Sequence, residues 1–312
     1  MPTPRPLPLI WHEALYGDAG FYRRPEGPAG HFATSSQGLP GVDELLAECV
    51  LALCRRHNLR GVVEIGCGRG ELLILVHRMA PDLELTGVDI VDRPHDLPAD
   101  IAWLRSPGGD ELPEQLNDLR ETLVFAHEWL DVVPCEIAVA TDDGVRVVGV
   151  VDDSLVPARP LSSAETAWCE RHWPTSAPVV EIGVARDKAY DGLRRRLTDG
   201  LLVCVDYGHT RADRPPEGTF VGYRDGSICP PSFDGSSDLT AHVAMDSLGA
   251  DHIALQADMA RELLDPPDRP DHALAGQDPQ RYLESLRRRS AWTAFTAPSG
   301  LGGFWWAIET IT

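Results

Sequence analysis

A glycine-rich loop offers the first chemistry in this sequence. In the segment "EIGCGRG", Glu64 stands two residues before Gly66, and Gly68 and Gly70 follow at alternate positions. Glycines allow the backbone to pass close to a ligand, and the amides that open the next helix can contact it. The GxGxG spacing differs from the GxGxxG of nicotinamide-binding loops, and the charge of Glu64 would repel a pyrophosphate. The loop therefore favours a ligand that carries an amino group.

A second acid extends this site. Asp89 follows Gly70 by 19 residues, at the end of the second predicted strand, where a carboxylate can accept both hydroxyls of a ribose. S-adenosylmethionine has an ammonium group, a sulfonium and one ribose, so the pattern favours this cofactor over a dinucleotide, with a structural turn left open. Trp103 and Asp110 are expected to frame the adenine, although Trp103 suits the core equally well. The residues predicted to bind the cofactor on these grounds are Glu64, Gly66, Cys67, Gly68, Gly70, Asp89 and Asp110.

Three further acids follow apolar strands. Glu128 and Asp131 come directly after the strand "LVFAH", and Asp206 ends the strand "LLVCV". Ligands of doubly wound sheets bind beyond the carboxyl ends of the strands, so these carboxylates are predicted to be catalytic and to meet at the methyl acceptor. They could orient a guanidinium through forked ion pairs, whereas a hydroxyl would need a base, for which His127 is placed. The structural alternatives are acids at a helix N-terminus, a turn capped by Asp131, and an ion pair between Asp206 and an arginine of residues 211–224.

Composition limits the partners and the compartment. The net charge of −20 repels phosphate backbones, so no nucleic acid is expected. No run of 18 apolar residues is present, and no membrane span is expected. Seven cysteines without a CxxC pair argue for reduced thiols in the cytoplasm and against a disulfide frame or a metal site. The oligomeric state stays open, a homodimer included.

Apolar strands alternate with helical segments from residue 58 onwards, which predicts an α/β fold with a doubly wound sheet. The sequence Asp142-Asp143-Gly144 predicts a hairpin turn at the periphery of that sheet. The segments "DHIALQ" and "GFWWAIETI" are expected to supply its last two strands. The chain is predicted to be one domain, 1–312, composed of an N-terminal arm and helix (1–57), a cofactor-binding half (58–134) and a second half (135–312) with a hairpin insertion and a lid segment (207–245).

The order of motifs resembles the MidA family of class I S-adenosylmethionine-dependent methyltransferases, relatives of a mitochondrial complex I assembly enzyme. The resemblance extends from about residue 12 to the end of the chain, and the shared motifs are "YGDAGFY", "GHFATS", "EIGCGRGELL", "HEWLDVVP", "DYG", "GTFVGY" and "DLTAHV". It implies a Rossmann-like seven-stranded sheet with inserted substrate-covering segments and S-adenosyl-L-methionine as the cofactor. It also adds Thr34 to the residues that would bind the cofactor. The best known member methylates a protein arginine.

Departures from the family pattern lie on the acceptor side. His127 replaces an asparagine, His31 replaces an aspartate, and "SQGLP" stands where "SPEIS" is usual. The first hypothesis is therefore a methyltransferase of a protein or peptide side chain such as arginine. An O- or N-methyltransferase of a small metabolite is the second, and a non-catalytic assembly chaperone with the same fold is the third.

Overall fold

The chain folds around a central seven-stranded sheet. A computed structural model describes residues 2–24, 40–173 and 176–312. In spatial order the strands of this sheet are β16 (His252–Leu255), β17 (Trp305–Ile311), β10 (Gly200–Asp206), β5 (Thr122–His127), β2 (Gly61–Ile65), β3 (Glu84–Asp89) and β4 (Ala102–Arg105). The last five are parallel neighbours, and β17 is antiparallel to both β10 and β16. The predicted α/β sheet of seven strands is confirmed, with its last two strands in the expected segments.

Helices cover both faces of this sheet. The helices are α1 (Leu7–Tyr16), α2 (Val42–His57), α3 (Glu71–Met79), α4 (Ser163–His172), α5 (Val184–Arg194), α6 (Gln256–Leu263), α7 (Leu274–Gln277) and α8 (Pro279–Phe295). Side chains of a strand alternate between faces, so Leu123 and Phe125 of β5 pack with α2, α3 and α8, whereas Val124 and Ala126 pack with α5. Within the described residues, no helix is long and apolar enough to cross a membrane.

A second sheet contains the predicted hairpin. Its strands are β1 (Arg5–Pro6), β6 (Glu136–Thr141), β7 (Gly144–Val151), β8 (Ser154–Pro160) and β9 (Val179–Ile182). The turn lies at Asp142-Asp143, as the sequence predicts, but the hairpin forms the middle of this sheet instead of a peripheral extension of the first. Side chains of β6 and β7 bury apolar surface against α1, which explains why a separate sheet forms there.

The predicted lid segment contains five short strands joined by loops. It contains β11 (Gly208–His209), β12 (Val221–Arg224), β13 (Ser227–Cys229), β14 (Asp238–Thr240) and β15 (Val243–Ala244). Strand β14 is joined to the N-terminal helix, because the indole nitrogen of Trp11 donates to the carbonyl of Leu239 at 3.0 Å. Helix α1 and β14 therefore lie together, although more than 200 residues separate them in the chain.

Candidate functional site

The glycine loop connects β2 to α3 at the carboxyl edge of the central sheet. Gly66, Gly68 and Gly70 all have positive φ angles, +68°, +59° and +81°, which the left-handed region allows at low cost only for glycine. A Cβ at Gly70 would lie 2.7 Å from the side chain of Leu97, so this glycine is required by packing. A Cβ at Gly68 would lie no closer than 3.5 Å to the atoms of the described chain outside its immediate neighbours. Open space therefore faces the loop at Gly68.

Two acids flank this space, Glu64, which is buried, and Asp89, which is half-buried. One oxygen of Glu64, Oε2, has no hydrogen-bond partner among the described residues, and burial, with Glu71 and Asp89 nearby, raises the pKa of Glu64 well above its usual range. Asp89 accepts hydrogen bonds from the amides of Gly68 at 2.7 Å and Val91 at 3.1 Å. Burial raises its pKa to about 6 against the effect of these amides. An unpartnered buried carboxylate oxygen is costly, so Glu64 is suited to a ligand that brings positive charge. The raised pKa of Asp89 likewise favours a ligand that brings donors.

This arrangement fits S-adenosylmethionine. Glu64 can accept from the ammonium group, Asp89 can accept from the ribose hydroxyls, and Gly68 leaves room for the ligand beside the backbone. The ammonium and the sulfonium would also lower the raised pKa values of the two acids.

Cofactor affinity is expected to depend on pH through Asp89. Its pKa of about 6 means that the carboxylate, the better acceptor for ribose hydroxyls, predominates above pH 6 and is lost below it. Protonation of Asp89 should therefore lower the affinity for S-adenosylhomocysteine by up to about tenfold per pH unit below 6, in addition to any fall that Glu64, with its raised pKa, causes. Calorimetry between pH 5 and pH 8 measures this, with Asp89→Asn as the control that cannot titrate. Profiles of the same steepness in both proteins would contradict the assignment.

The other predicted cofactor residues are placed less favourably. The sulfur of Cys67 is directed at the backbone of β3, 2.9 Å from where a Cβ of Gly87 would stand, so the thiol fills the core. The ring of Trp103 packs on the same glycine and donates through Nε1 to the carbonyl of Val91 at 3.1 Å. Asp110 lies near Tyr16, because its charge raises the pKa of the Tyr16 hydroxyl. Thr34, with His31, lies outside the described residues.

A sharp turn after β5 carries the predicted catalytic acids. Glu128 has a φ of +52°, unusual for a residue with a side chain, and its amide donates to the carbonyl of Val205 at 2.9 Å. Asp206 holds this turn, since Oδ2 accepts from the amides of Leu130 at 2.9 Å and Asp131 at 3.1 Å.

The second oxygen of Asp206 accepts from the amide of Tyr207 at 2.9 Å. The proposed pairing of Asp206 with an arginine of residues 211–224 is not what the described residues show. Arg214, buried in that segment, pairs with Asp246 at 2.7 Å. Backbone amides thus stand where the structural alternative placed an ion pair.

Asp131 differs from Asp206 in one respect. Its Oδ2 accepts from the hydroxyl of Thr240 at 2.7 Å, but its Oδ1 is buried without any partner in the described structure. Burial raises the pKa of Asp131, and Arg186 opposes the rise. Glu128 is near, because its charge and that of Asp131 both raise the pKa of Tyr207. The carboxylates of Glu128, Asp131 and Asp206 are therefore neighbours.

His127 ends β5 beside these acids. Its Nδ1 is 3.3 Å from Oε1 of Glu128, and its Nε2 is buried and has no partner in the part of the chain that the structure describes. Burial lowers its pKa to about 3, so the ring is neutral at physiological pH. A neutral imidazole next to a carboxylate has the protonation state that a general base needs.

Arg186 of α5 stabilises the backbone around the site. From the sequence alone it cannot be told from the surface arginines of an amphipathic helix. Its guanidinium is buried and donates to four backbone carbonyls, those of Val133 (3.0 Å), Ala241 (2.8 Å), His242 (2.8 Å) and Asp131 (2.6 Å). The turn after β5 and the segment after β14 are joined by this one side chain. Arg186 is thus occupied by the backbone.

Replacing Arg186 with methionine is expected to lower the free energy of unfolding by at least about 3 kcal/mol, because several buried carbonyls lose their donor. The matched control is Arg195→Met at the end of the same helix, where the guanidinium is exposed and 3.5 Å from Asp191. That change should cost less than about 1 kcal/mol. Urea denaturation of both variants measures the difference, and equal losses would show that Arg186 does not join the two segments.

The carboxylates Glu128, Asp131 and Asp206 form an acidic site. Three more side chains lie near it that the sequence did not predict. Asp238 is buried, and the hydroxyl of Tyr22 donates to its two oxygens at 2.9 and 3.0 Å. Tyr16 stacks on Tyr22 with ring centroids 5.5 Å apart and donates to the carbonyl of Val132 at 3.3 Å. The motifs "YGDAGFY" and "DLTAHV" contain these residues, so a comparison of motifs was the available signal. Nothing in local spacing places them together.

The fold and the cofactor site define the class of protein, an S-adenosylmethionine-dependent methyltransferase. A family model described as "Putative S-adenosyl-L-methionine-dependent methyltransferase" matches residues 45–261, more than half of the chain. The chain belongs to this family and is an enzyme of this class.

Solved structures support the fold. A protein of Burkholderia thailandensis bound to S-adenosyl-homocysteine superposes with a TM-score of 0.76 at 20% identity, covering 99% of this chain and 89% of that one. A native structure of a superfamily protein from the same organism gives 0.72 at 21% identity, over 99% and 88% of the two chains.

A curated relative matches a shorter part of the chain. Trans-aconitate 2-methyltransferase of Escherichia coli O1:K1 is 32% identical over 161 residues, which is 46% of this chain and 56% of that enzyme. The chain thus spans about half the length of the curated relatives that it matches.

Proposed function

We propose that this methyltransferase acts on a cationic nitrogen of a protein or peptide side chain, with arginine as the acceptor, and that it is a member of the MidA family. The carrying observation is the unpartnered Oδ1 of Asp131, buried among further carboxylates at the carboxyl edge of the sheet. Carboxylates brought together repel one another unless a cation lies between them. In the described part of the chain, no arginine or lysine forms an ion pair with Asp131, Asp206 or Asp238.

A guanidinium suits this site better than a neutral group does. Its five N–H donors form a planar fork that matches carboxylate oxygens. An arginine acceptor would satisfy Oδ1 of Asp131 and lower the raised pKa values of Asp131 and Asp206.

Each side chain of the site then has a separate role in methyl transfer. S-adenosylmethionine supplies an electrophilic methyl group when bound. Asp131 orients the acceptor nitrogen through Oδ1 and accepts the proton that this nitrogen must lose. Asp206 acts as a positioning residue, because its hydrogen bonds to the amides of Leu130 and Asp131 fix the turn. Glu128 adds negative charge, and holding a reactant in the correct orientation provides much of the rate.

A small-metabolite acceptor is the second candidate. His127 is neutral and lies 3.3 Å from Glu128, and its Nε2 has no partner in the described structure, so this nitrogen can accept the proton of a hydroxyl acceptor. The similarity to trans-aconitate 2-methyltransferase supports a metabolite, although it covers only about half of that enzyme.

A labelling experiment separates the two candidates. The protein is incubated with isotopically labelled S-adenosylmethionine and peptide libraries centred on arginine, lysine, histidine or serine, and in parallel with a deproteinised cell extract. The proposal expects label on arginine peptides, located by mass spectrometry. Label confined to small metabolites would overturn it and favour His127 as the base.

The seven cysteines support a cytoplasmic location. All are free thiols, and five of them are buried. Burial raises the pKa of Cys135 and of Cys54 to about 11, which makes these thiols poorly reactive.

A further inference from the structure

The motifs after β5 and β10 contain Glu128, Asp131 and Asp206. Asp238, a further carboxylate beside them, lies outside these motifs, and its role is open. It lies on β14 two residues before Thr240, and alternate residues of a strand face the same side. Thr240 donates to Asp131, so Asp238 faces the same space as Asp131, roughly 7 Å further along the strand. Of the charges that act on Asp238, that of Asp131 raises its pKa most, after burial itself.

The hydrogen bonds of Asp238 are few for a buried carboxylate. A carboxylate offers about four lone-pair sites, and the described structure records one side-chain donor, the hydroxyl of Tyr22, shared between both oxygens. Tyr22 itself belongs to the segment that follows α1 and stacks on Tyr16. The amide of Leu239 is a further donor that lowers its pKa. Within the described residues these donors use at most three of the four sites, so Asp238 has acceptor capacity left for a ligand.

We propose that Asp238, oriented by Tyr22, is a specificity-determining residue that binds the outer nitrogens of a guanidinium while Asp131 binds the nitrogen to be methylated. This inference rests on the proposed function and makes it more specific. A planar guanidinium can donate to two carboxylates on opposite sides, whereas the compact ammonium of lysine cannot bridge the same separation. The site then selects arginine over lysine.

The charge on Asp238 depends on its surroundings. Burial raises its pKa, the charges of Asp131 and Glu128 raise it further, and the hydrogen bond from Tyr22 lowers it. The other titratable groups that face it are Tyr16 of α1 and Tyr223 of β12, whose pKa values it raises. Loss of the Tyr22 hydroxyl should therefore favour the protonated, weaker-binding form of Asp238.

The test uses the full chain and two probes, the blocked tripeptides Gly-Arg-Gly and Gly-Lys-Gly, with KM and kcat measured for both. Wild type should prefer the arginine peptide in kcat/KM by at least about 100-fold. Asp238→Asn should raise KM for the arginine peptide at least tenfold, change kcat less than about threefold, and leave the affinity for S-adenosylhomocysteine unchanged. Asp234→Asn is the matched control, since Asp234 is exposed and bonded only within its own loop.

Tyr22→Phe provides a second variant in which the carboxylate is retained. Its KM should begin to rise on acidification at a higher pH than that of wild type, an effect that a purely structural tyrosine would not produce. An unchanged preference for arginine in Asp238→Asn, or an unshifted pH profile in Tyr22→Phe, overturns the inference while Asp131→Asn still tests the function. Failure of wild type to bind or methylate either peptide overturns both.

Discussion

Asp131→Asn should lower kcat by about 10²–10⁴-fold with the affinity for S-adenosylhomocysteine unchanged. The substitution preserves size, and the amide oxygen can still accept the hydroxyl of Thr240, which Oδ2 accepts at 2.7 Å. The amide NH₂ then stands where the unpartnered Oδ1 was. A hydrogen-bond donor thus replaces a hydrogen-bond acceptor. The substrate nitrogen that receives the methyl group is then neither oriented nor deprotonated.

The measurement is a steady-state assay on the acceptor found by labelling, combined with calorimetry for cofactor affinity. Asp234→Asn is again the control, because it removes the same charge from an exposed loop. Turnover near that of wild type, at unchanged cofactor affinity, would remove Asp131 from the mechanism. Loss of activity in His127→Ala would then support the metabolite hypothesis.

Gly68→Val should abolish cofactor binding, which we take as at least about 100-fold in Kd, or about 2.8 kcal/mol. Its φ of +59° strains any β-branched residue, and the side chain would project into the open space in front of the loop. Since no atom of the described chain outside its neighbours comes within 3.5 Å of that Cβ, the ligand is what the valine displaces.

The control separates strain from occlusion. Gly144 also has a positive φ, +100°, and no atom within 4 Å of an added Cβ, but it lies in the β6–β7 turn. Gly144→Val should lose comparable stability and retain cofactor binding. Equal loss of binding in both variants would mean that strain alone accounts for the effect at Gly68.

The central sheet could be predicted because its signals are local. Each strand of the cofactor half is a short apolar run, and the Asp142-Asp143-Gly144 turn signals its hairpin directly. The second sheet was only partly predicted. Strand β8 contains Pro157 and Pro160, which weaken any strand prediction, and it forms by pairing with β7, which the local sequence does not report.

The acceptor side was harder because its contacts are distant in sequence. The hydrogen bond between Tyr22 and Asp238 joins residues 216 positions apart, and no spacing rule reports such a pair. Arg186 was missed for a related reason. An arginine on a charged helix suggests an exposed position, and only the folded chain shows the four carbonyls that it binds.

Tyr16 connects the affinities of the two ligands. Its ring packs on Gly108, beside the cofactor acid Asp89, while its hydroxyl donates to Val132 next to the acceptor acid Asp131. A ligand that shifts this ring at one site alters the other site as well. Thermodynamic linkage makes such an effect reciprocal, so cofactor and acceptor should change each other's affinity by the same factor. We expect the enzyme to bind its two substrates cooperatively.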